Sequence, residues 1–315
     1  MKISIVKNLN PSIKNGCRRI DFWFYGRENE DFIYYEDTFF GLKNQILLRH
    51  LIGKKEVELW FSKSCLWLDR FYPPRSRGSI ENIVEVIRKI KMIENGGTYI
   101  HAACVEKDGE GILMAAFPNV GKTLSCLQLM KAGWRYLSDD TIRIDQGGWA
   151  HFTSFPSAIG YRDFLKFVNP SDIGKWKYIS NLLKAKLYES NKGLQKFLKP
   201  PLICLGDFTH KRESRREKAK IKTVVVLDIG SERIEPLDKD QMLDKIKKIN
   251  SYCLPDLNNP LILAYSYFND SFSIASIKKK EVEIISSFVN ECKEFYALSC
   301  KDWNWIEMFK KGGIL

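Results

Sequence analysis

A glycine, a lysine and a threonine stand together at Gly121-Lys122-Thr123, and two adjacent carboxylates, Asp139 and Asp140, follow a short way down the chain. A lysine at a helix start offers a compact positive charge to phosphate oxygens, and a threonine hydroxyl can ligate Mg²⁺. The helix N-terminus adds unpaired N–H groups and a favourable dipole. Paired carboxylates can divide their work, one serving a metal while the other orients or deprotonates a hydroxyl. The stretch Ala116-Phe-Pro-Asn-Val-Gly121-Lys122-Thr123 has the form G-x-x-x-x-G-K-[ST], with Ala116 where the first glycine usually stands. Asn119 occupies a position that often carries another glycine, and asparagine tolerates positive φ better than most residues. Ala116, Asn119, Val120, Gly121, Lys122, Thr123 and Leu124 are therefore the residues expected to hold the phosphates, with Thr123 on the metal.

Such a loop needs a strand before it and a helix after it. His101 to Val105 alternates ahead of a turn at Asp108-Gly109, and Gly111-Ile-Leu-Met-Ala-Ala116 is a short apolar run of the kind found in buried strands. Leu124 to Ala132 has helical character and stops at Gly133, a natural residue for a helix C-terminus. Arg135-Tyr-Leu-Ser-Asp139-Asp140 follows as a strand ending in its carboxylates. Neighbouring strand residues point to opposite faces, so both aspartates reach one site only where the strand ends and turns. A plain turn is the alternative reading. Thr223-Val-Val-Val-Leu-Asp228 is a second buried strand ending in a carboxylate, and it competes with Asp139 and Asp140 for the metal.

The remaining pattern divides the chain into a β-rich N-terminal domain with a linking helix, residues 1–95, and a nucleotide-binding domain, residues 96–315. Strand composition recurs at Ile3–Val6, Ile20–Tyr25, Phe32–Tyr35 and Val57–Phe61. The spacing of Phe40, Leu42, Ile46, Leu47 and Leu51 predicts a helix over 39–51, and Trp23, Trp60 and Trp67 are expected in the core. Tyr72 to Gly78 is a breaker-rich linker, and Ser79 can cap a helix over 80–94. Two strands are expected about Gly147-Gly148, then Phe155-Pro156 and a basic helical stretch over 171–198. The polar segment 206–220 is read as a solvated loop, or as an anion-binding lid using Arg212, Arg215 or Arg216. Helices are expected over 238–249 and 279–289, and strands over 261–268 and 294–299, before Trp303-Asn-Trp305.

Composition bounds the function. The 315 residues are 44% hydrophobic and 28% charged, as expected of an ordinary globular protein. No apolar run has the length of a membrane span, and the start of the chain has no signal-peptide pattern, so no membrane and a cytoplasmic location are expected. The eight cysteines contain no C-x-x-C pair and are expected to be mostly buried thiols. Fifty basic residues against 38 acidic ones give a net charge of +12, which favours acidic partners such as nucleotides without choosing among them.

From Tyr99 to Ile144 the sequence resembles the HPr kinase/phosphorylase superfamily, which shares its nucleotide core with phosphoenolpyruvate carboxykinases. The resemblance rests on His101-Ala-Ala, Gly111-Ile-Leu, Gly121-Lys-Thr and Tyr136-Leu-Ser-Asp-Asp140. It implies an α/β fold, a P-loop kinase core of that type beside a small β-rich domain, with ATP and Mg²⁺ as cofactors. It also implies Asp139 as base, Asp140 on the metal, Lys122 on the phosphates, and His101 beside them as a hydrogen-bonding or proton-relay partner. A satisfied core histidine is the other reading of His101. The second signature of the bacterial enzymes, L-E-x-R-G-x-G, is absent after residue 150, so neither phosphorolysis nor HPr as substrate is implied. The acceptor expected is a hydroxyl, either a serine of a protein or peptide or a small alcohol. A homo-oligomer is compatible with the resemblance. The rival readings are a nucleotide-binding regulatory protein without transferase activity and a nucleic-acid-dependent NTPase. The second is disfavoured because no nucleic-acid recognition module is recognisable.

Overall fold

The computed structural model describes residues 1–39, 41–53, 56–71, 79–153, 157–158, 161–190, 202–203 and 217–315. It is a mixed α/β protein in two compact units, Met1–Gly96 with Pro255–Val282, and Gly97–Leu254 with Glu283–Leu315. The first unit begins with β1 (Lys2–Val6), β2 (Arg18–Ile20), β3 (Phe24–Gly26), β4 (Phe32–Phe39), β5 (Leu42–Arg49) and β6 (Glu58–Ser62), followed by α1 (Lys63–Phe71) and α2 (Ile80–Glu94). The larger unit opens with β7 (Gly97–Ile100), β8 (Ala102–Lys107), β9 (Glu110–Ala115), α3 (Lys122–Lys131), β10 (Arg135–Ser138), β11 (Ile142–Asp145) and β12 (Trp149–His151). It continues through β13 (Ser157–Ala158), α4 (Tyr161–Phe167), α5 (Pro170–Ile173), α6 (Lys175–Ser190), β14 (Leu202–Ile203), β15 (Lys218–Asp228), β16 (Arg233–Pro236) and α7 (Lys239–Cys253). Then α8 (Pro260–Phe268) belongs to the first unit, α9 (Ile274–Glu291) runs through the division, and β17 (Glu294–Ser299) and α10 (Trp305–Lys311) close the chain. The stretch Pro255–Val282, read from sequence as part of the nucleotide domain, thus groups with the N-terminal residues.

Among the described residues the first unit carries a six-stranded sheet in the order β1-β6-β5-β4-β3-β2. Two expectations are overturned in this unit. The helix predicted over 39–51 is the strand β5, paired in register with β4 from Arg49↔Phe32 to Leu42↔Phe39. Residues Asn44 to Leu48 are all buried, so the strand lacks the alternation that marks a half-exposed one, and its leucines and isoleucine fall at helical spacing by chance. The strand predicted over 261–268 is the helix α8, with Pro260 in its first turn and the Asn259 side chain accepting from Leu261 N–H. The tryptophans also depart from expectation. Trp67 is 57% exposed and Trp23 36%, while Trp60 is half-buried.

In the larger unit the sheet runs β10-β8-β9-β15-β12-β11-β7, with β17 beside β15 and β16 beside β17. Alternating residues of β8, β9 and β15 feed two separate cores, as the period of a strand requires. Ala103, Val105, Ile112, Met114, Val225 and Leu227 pack with α3 and α10 residues such as Leu127 and Phe309. Ala102, Cys104, Leu113, Ala115, Val224 and Val226 pack with Ile246 of α7 and Phe288 of α9. The result is helix, sheet, helix. The helix α7 starts on a capping box in which Asp238 and Gln241 satisfy each other's backbone N–H groups.

Of the basic helical stretch expected over 171–198, the described part is α5 and α6. The linker 72–78, Phe155-Pro156 and Arg212, Arg215 and Arg216 of the expected lid lie outside the described residues, as does Cys204. Of the seven described cysteines, Cys65, Cys104, Cys126, Cys292 and Cys300 are buried. No helix among the described residues is long and apolar enough to cross a membrane.

Candidate active site

Strand direction brings the sequence-predicted residues to one edge of the sheet. β9 and β10 each pair antiparallel with β8, so both end where β8 begins. That edge therefore holds His101 before β8, the loop after β9, and Asp139 and Asp140 after β10. β15 runs parallel to β9, with Val226 opposite Ala115, so Asp228 ends at the same edge.

The loop between β9 and α3 is built by two left-handed residues, Asn119 at φ +63° and Gly121 at φ +106°. Gly121 is the N-cap of α3 and provides no side-chain cap, which leaves the first-turn N–H groups open at the helix's positive end. Ala116, Val120 and Leu124 are buried in the core beneath, while Asn119 is exposed and Thr123 half-buried. A side chain at Gly121 is excluded twice over. The φ is unfavourable, and a Cβ would lie 2.7 Å from Nε1 of Trp305.

Lys122 is buried, and its ammonium donates to the carbonyls of Ala116 at 3.0 Å and Phe117 at 3.3 Å. Its third donor reaches Nε2 of His101 at 2.8 Å. An ammonium has no acceptor to offer, so Nε2 must accept and the neutral ring carries its proton on Nδ1. That nitrogen faces Asp140 Oδ1 at 3.6 Å. Burial, and then the Lys122 charge, pull the His101 pKa down to about 4 against the opposing effect of Asp140. Burial also lowers the Lys122 pKa, opposed by Asp140 most and then by Cys253 and Asp139.

The two aspartates have different surroundings. Asp139 is 1% exposed and accepts from the Tyr136 hydroxyl at 2.8 Å. The Asp140 side chain is 52% exposed. Asp228 is exposed at the sheet edge, and its Oδ1 accepts from the N–H of Ile229. It is not among the groups whose charge acts on Lys122, whereas Asp140 leads them. Hard oxygen donors at Thr123 and Asp140 suit Mg²⁺, which takes one or two protein ligands and completes its shell with phosphate and water. No cluster of three His, Cys, Asp or Glu side chains exists among the described residues, so a metal held here would depend on phosphate oxygens in that way.

Four residues around the site were not singled out from sequence. Asn250 of α7 accepts from His101 N–H at 3.0 Å and donates to Tyr99 O at 3.1 Å, which fixes the junction of β7 and β8. Gln128 of α3 donates to Trp303 O at 3.0 Å and accepts from Ile306 N–H at 3.1 Å. Tyr252 and Phe117, both exposed, meet edge to face with centroids 5.4 Å apart. An isolated Asn or Gln inside a helix has no sequence signature for such a role.

A family model described as SynChlorMet cassette protein ScmC matches residues 78–165, a span that contains His101, the loop from Ala116 to Thr123, Asp139 and Asp140. No curated protein matches the chain.

Proposed function

We propose that the chain is an ATP- and Mg²⁺-dependent kinase of the HPr kinase-like type, transferring a phosphoryl group to a hydroxyl. The observation that carries this reading is the convergence of an open helix N-terminus, a buried lysine, a neutral histidine and an exposed carboxylate at one sheet edge. Phosphoryl transfer asks mainly for charge neutralisation and alignment, which such parts supply. The N–H groups of the first turn of α3 hold the phosphates, and Lys122 turns from the Ala116 and Phe117 carbonyls to the β/γ oxygens. Mg²⁺, when bound by Thr123 and Asp140, neutralises charge on the phosphates. His101 carries its Nδ1 proton toward Asp140 and can pass a proton between that carboxylate and the phosphates.

Asp140 is the carboxylate that an acceptor hydroxyl can reach. Asp139, enclosed and bonded to Tyr136, positions the strand end and adds negative charge behind Lys122. This division differs from the resemblance-based assignment of Asp139 as base. A buried, hydrogen-bonded carboxylate has no path to an acceptor.

Calorimetry of Mg²⁺-ATP binding to wild type and Lys122→Ala, followed by turnover with free serine, seryl peptides and no acceptor, tests the proposal. Binding lost in the variant and turnover that appears only with an acceptor are expected. A wild type that binds no nucleotide overturns it.

A further inference from the structure

The turn after β17 is held against the loop at Gly121 by contacts that the phosphate chemistry does not use. Trp303 has φ +58°, a left-handed backbone that bulky residues rarely adopt. Gln128 fixes the turn from both sides through Trp303 O and Ile306 N. The Trp303 ring is half-buried, and its Cε3 would lie 3.7 Å from a Cβ on Gly121. Beside it, Trp305 is fully buried, and its indole N–H has no hydrogen-bond partner among the described residues while facing Gly121. A dry, unpartnered donor aimed at the loop is costly to keep. It sets a polar atom directly beneath the backbone of the loop at Gly121.

We propose that Trp303 is the stacking platform for the base of a purine nucleotide whose phosphates lie on Gly121–Thr123. The proposal rests on the phosphate-binding reading of that loop. A tryptophan face gives a flat, apolar surface to any π system, and a purine covers more of it than a pyrimidine does. The strained turn sets the ring at the rim of the core, one side packed against it and the rest beside the loop, and α3 sets its height through Gln128.

ATP and inorganic tripolyphosphate, titrated with Mg²⁺ into the full chain, separate the base from the phosphates. Wild type is expected to prefer ATP. Trp303→Gly, which relieves the left-handed strain, and Trp303→Ala should each lose about tenfold or more in ATP affinity while binding tripolyphosphate as wild type does. Trp303→Phe should recover most of the ATP affinity. Unchanged ATP binding in Trp303→Gly, or equal losses for both probes, overturns the platform and leaves the loop reading standing. A wild type that binds neither probe overturns the loop reading itself, and the platform with it.

Discussion

The ammonium of Lys122 is hydrogen-bonded to Nε2 of His101 at 2.8 Å, and the opposite ring nitrogen of His101 faces Asp140 at 3.6 Å. The imidazole therefore stands between a buried cation and an exposed anion. Burial and the cation together decide its state, so the ring is neutral near pH 7.

That balance gives a pH dependence of known sign. His101 takes up its proton near pH 4 in the folded chain and near 6.5 when unfolded. Between these values the unfolded chain binds the extra proton, so stability rises with pH. The contribution is complete above about pH 6.5 and falls as pH drops toward 4, by at most about 1.4 kcal/mol per pH unit. Urea midpoints at pH 7, 5.5 and 4.5 in EDTA should show this slope, and His101→Gln should flatten it. An unchanged slope in the variant would show that other groups cause it.

Gly121 and Gly133 both have positive φ, at +106° and +91°, but only Gly121 has neighbours where a Cβ would go. Gly133→Ala should lower stability by about 1 kcal/mol through backbone strain alone. Gly121→Ala should lose about 2–4 kcal/mol, since the methyl must also displace the rigid Trp305 ring. Thermal melts of the two variants would test this, and equal losses would mean that Trp305 yields freely.

Replacing Asn250 with Ala strips a partner from both His101 N–H and Tyr99 O, which are buried or half-buried at the β7–β8 junction. Leaving the buried His101 N–H without this acceptor costs about 1–3 kcal/mol. Nucleotide affinity should weaken as well, because the same bond sets where His101 meets Lys122. Hydrogen exchange at the His101 amide offers the direct readout, and protection equal to wild type would refute the contact.

Asp139→Asn and Asp140→Asn should fail in different ways. The Asp140 variant should keep its stability and lose most of its turnover, with nucleotide affinity within about tenfold of wild type. The Asp139 variant should lose about 1.5–3 kcal/mol of stability, because its charge-assisted bond from Tyr136 is weakened inside the core. If Asp139→Asn folds normally and is the inactive one, the assignment of roles reverses.

The loop and its flanking elements were legible because their signals are local. A buried strand, a glycine at the helix start and a glycine after its end lie within one short stretch, and the structure has β9, α3 and β10 there. Ser79 likewise marked the start of α2, since capping is read from adjacent residues. β5 and α8 were not legible from periodicity. β5 is covered on both faces, and α8 is apolar almost all round, so neither shows the contrast on which a period depends. For α8 the deciding signal was Asn259-Pro260, a cap and a first-turn proline. At the site, Asn250, Gln128 and Trp303 come from elements far apart in the chain, and their convergence is a property of the sheet order.

That sheet order also dictates when the site can exist. β9 finds β8 across a tight turn, but its other neighbour, β15, pairs with it only from Lys220 onward. A ribosome that has just completed α3 has therefore made a hairpin with both edges bare, since β10 and β15 are still to come, and a helix that lacks α10 to lean on. Closing so long an excursion is slow compared with forming the hairpin. Nucleotide binding should consequently appear late in synthesis and in a single step. A nascent chain released before Ser299 would expose the unpaired edge of β15 to aggregation.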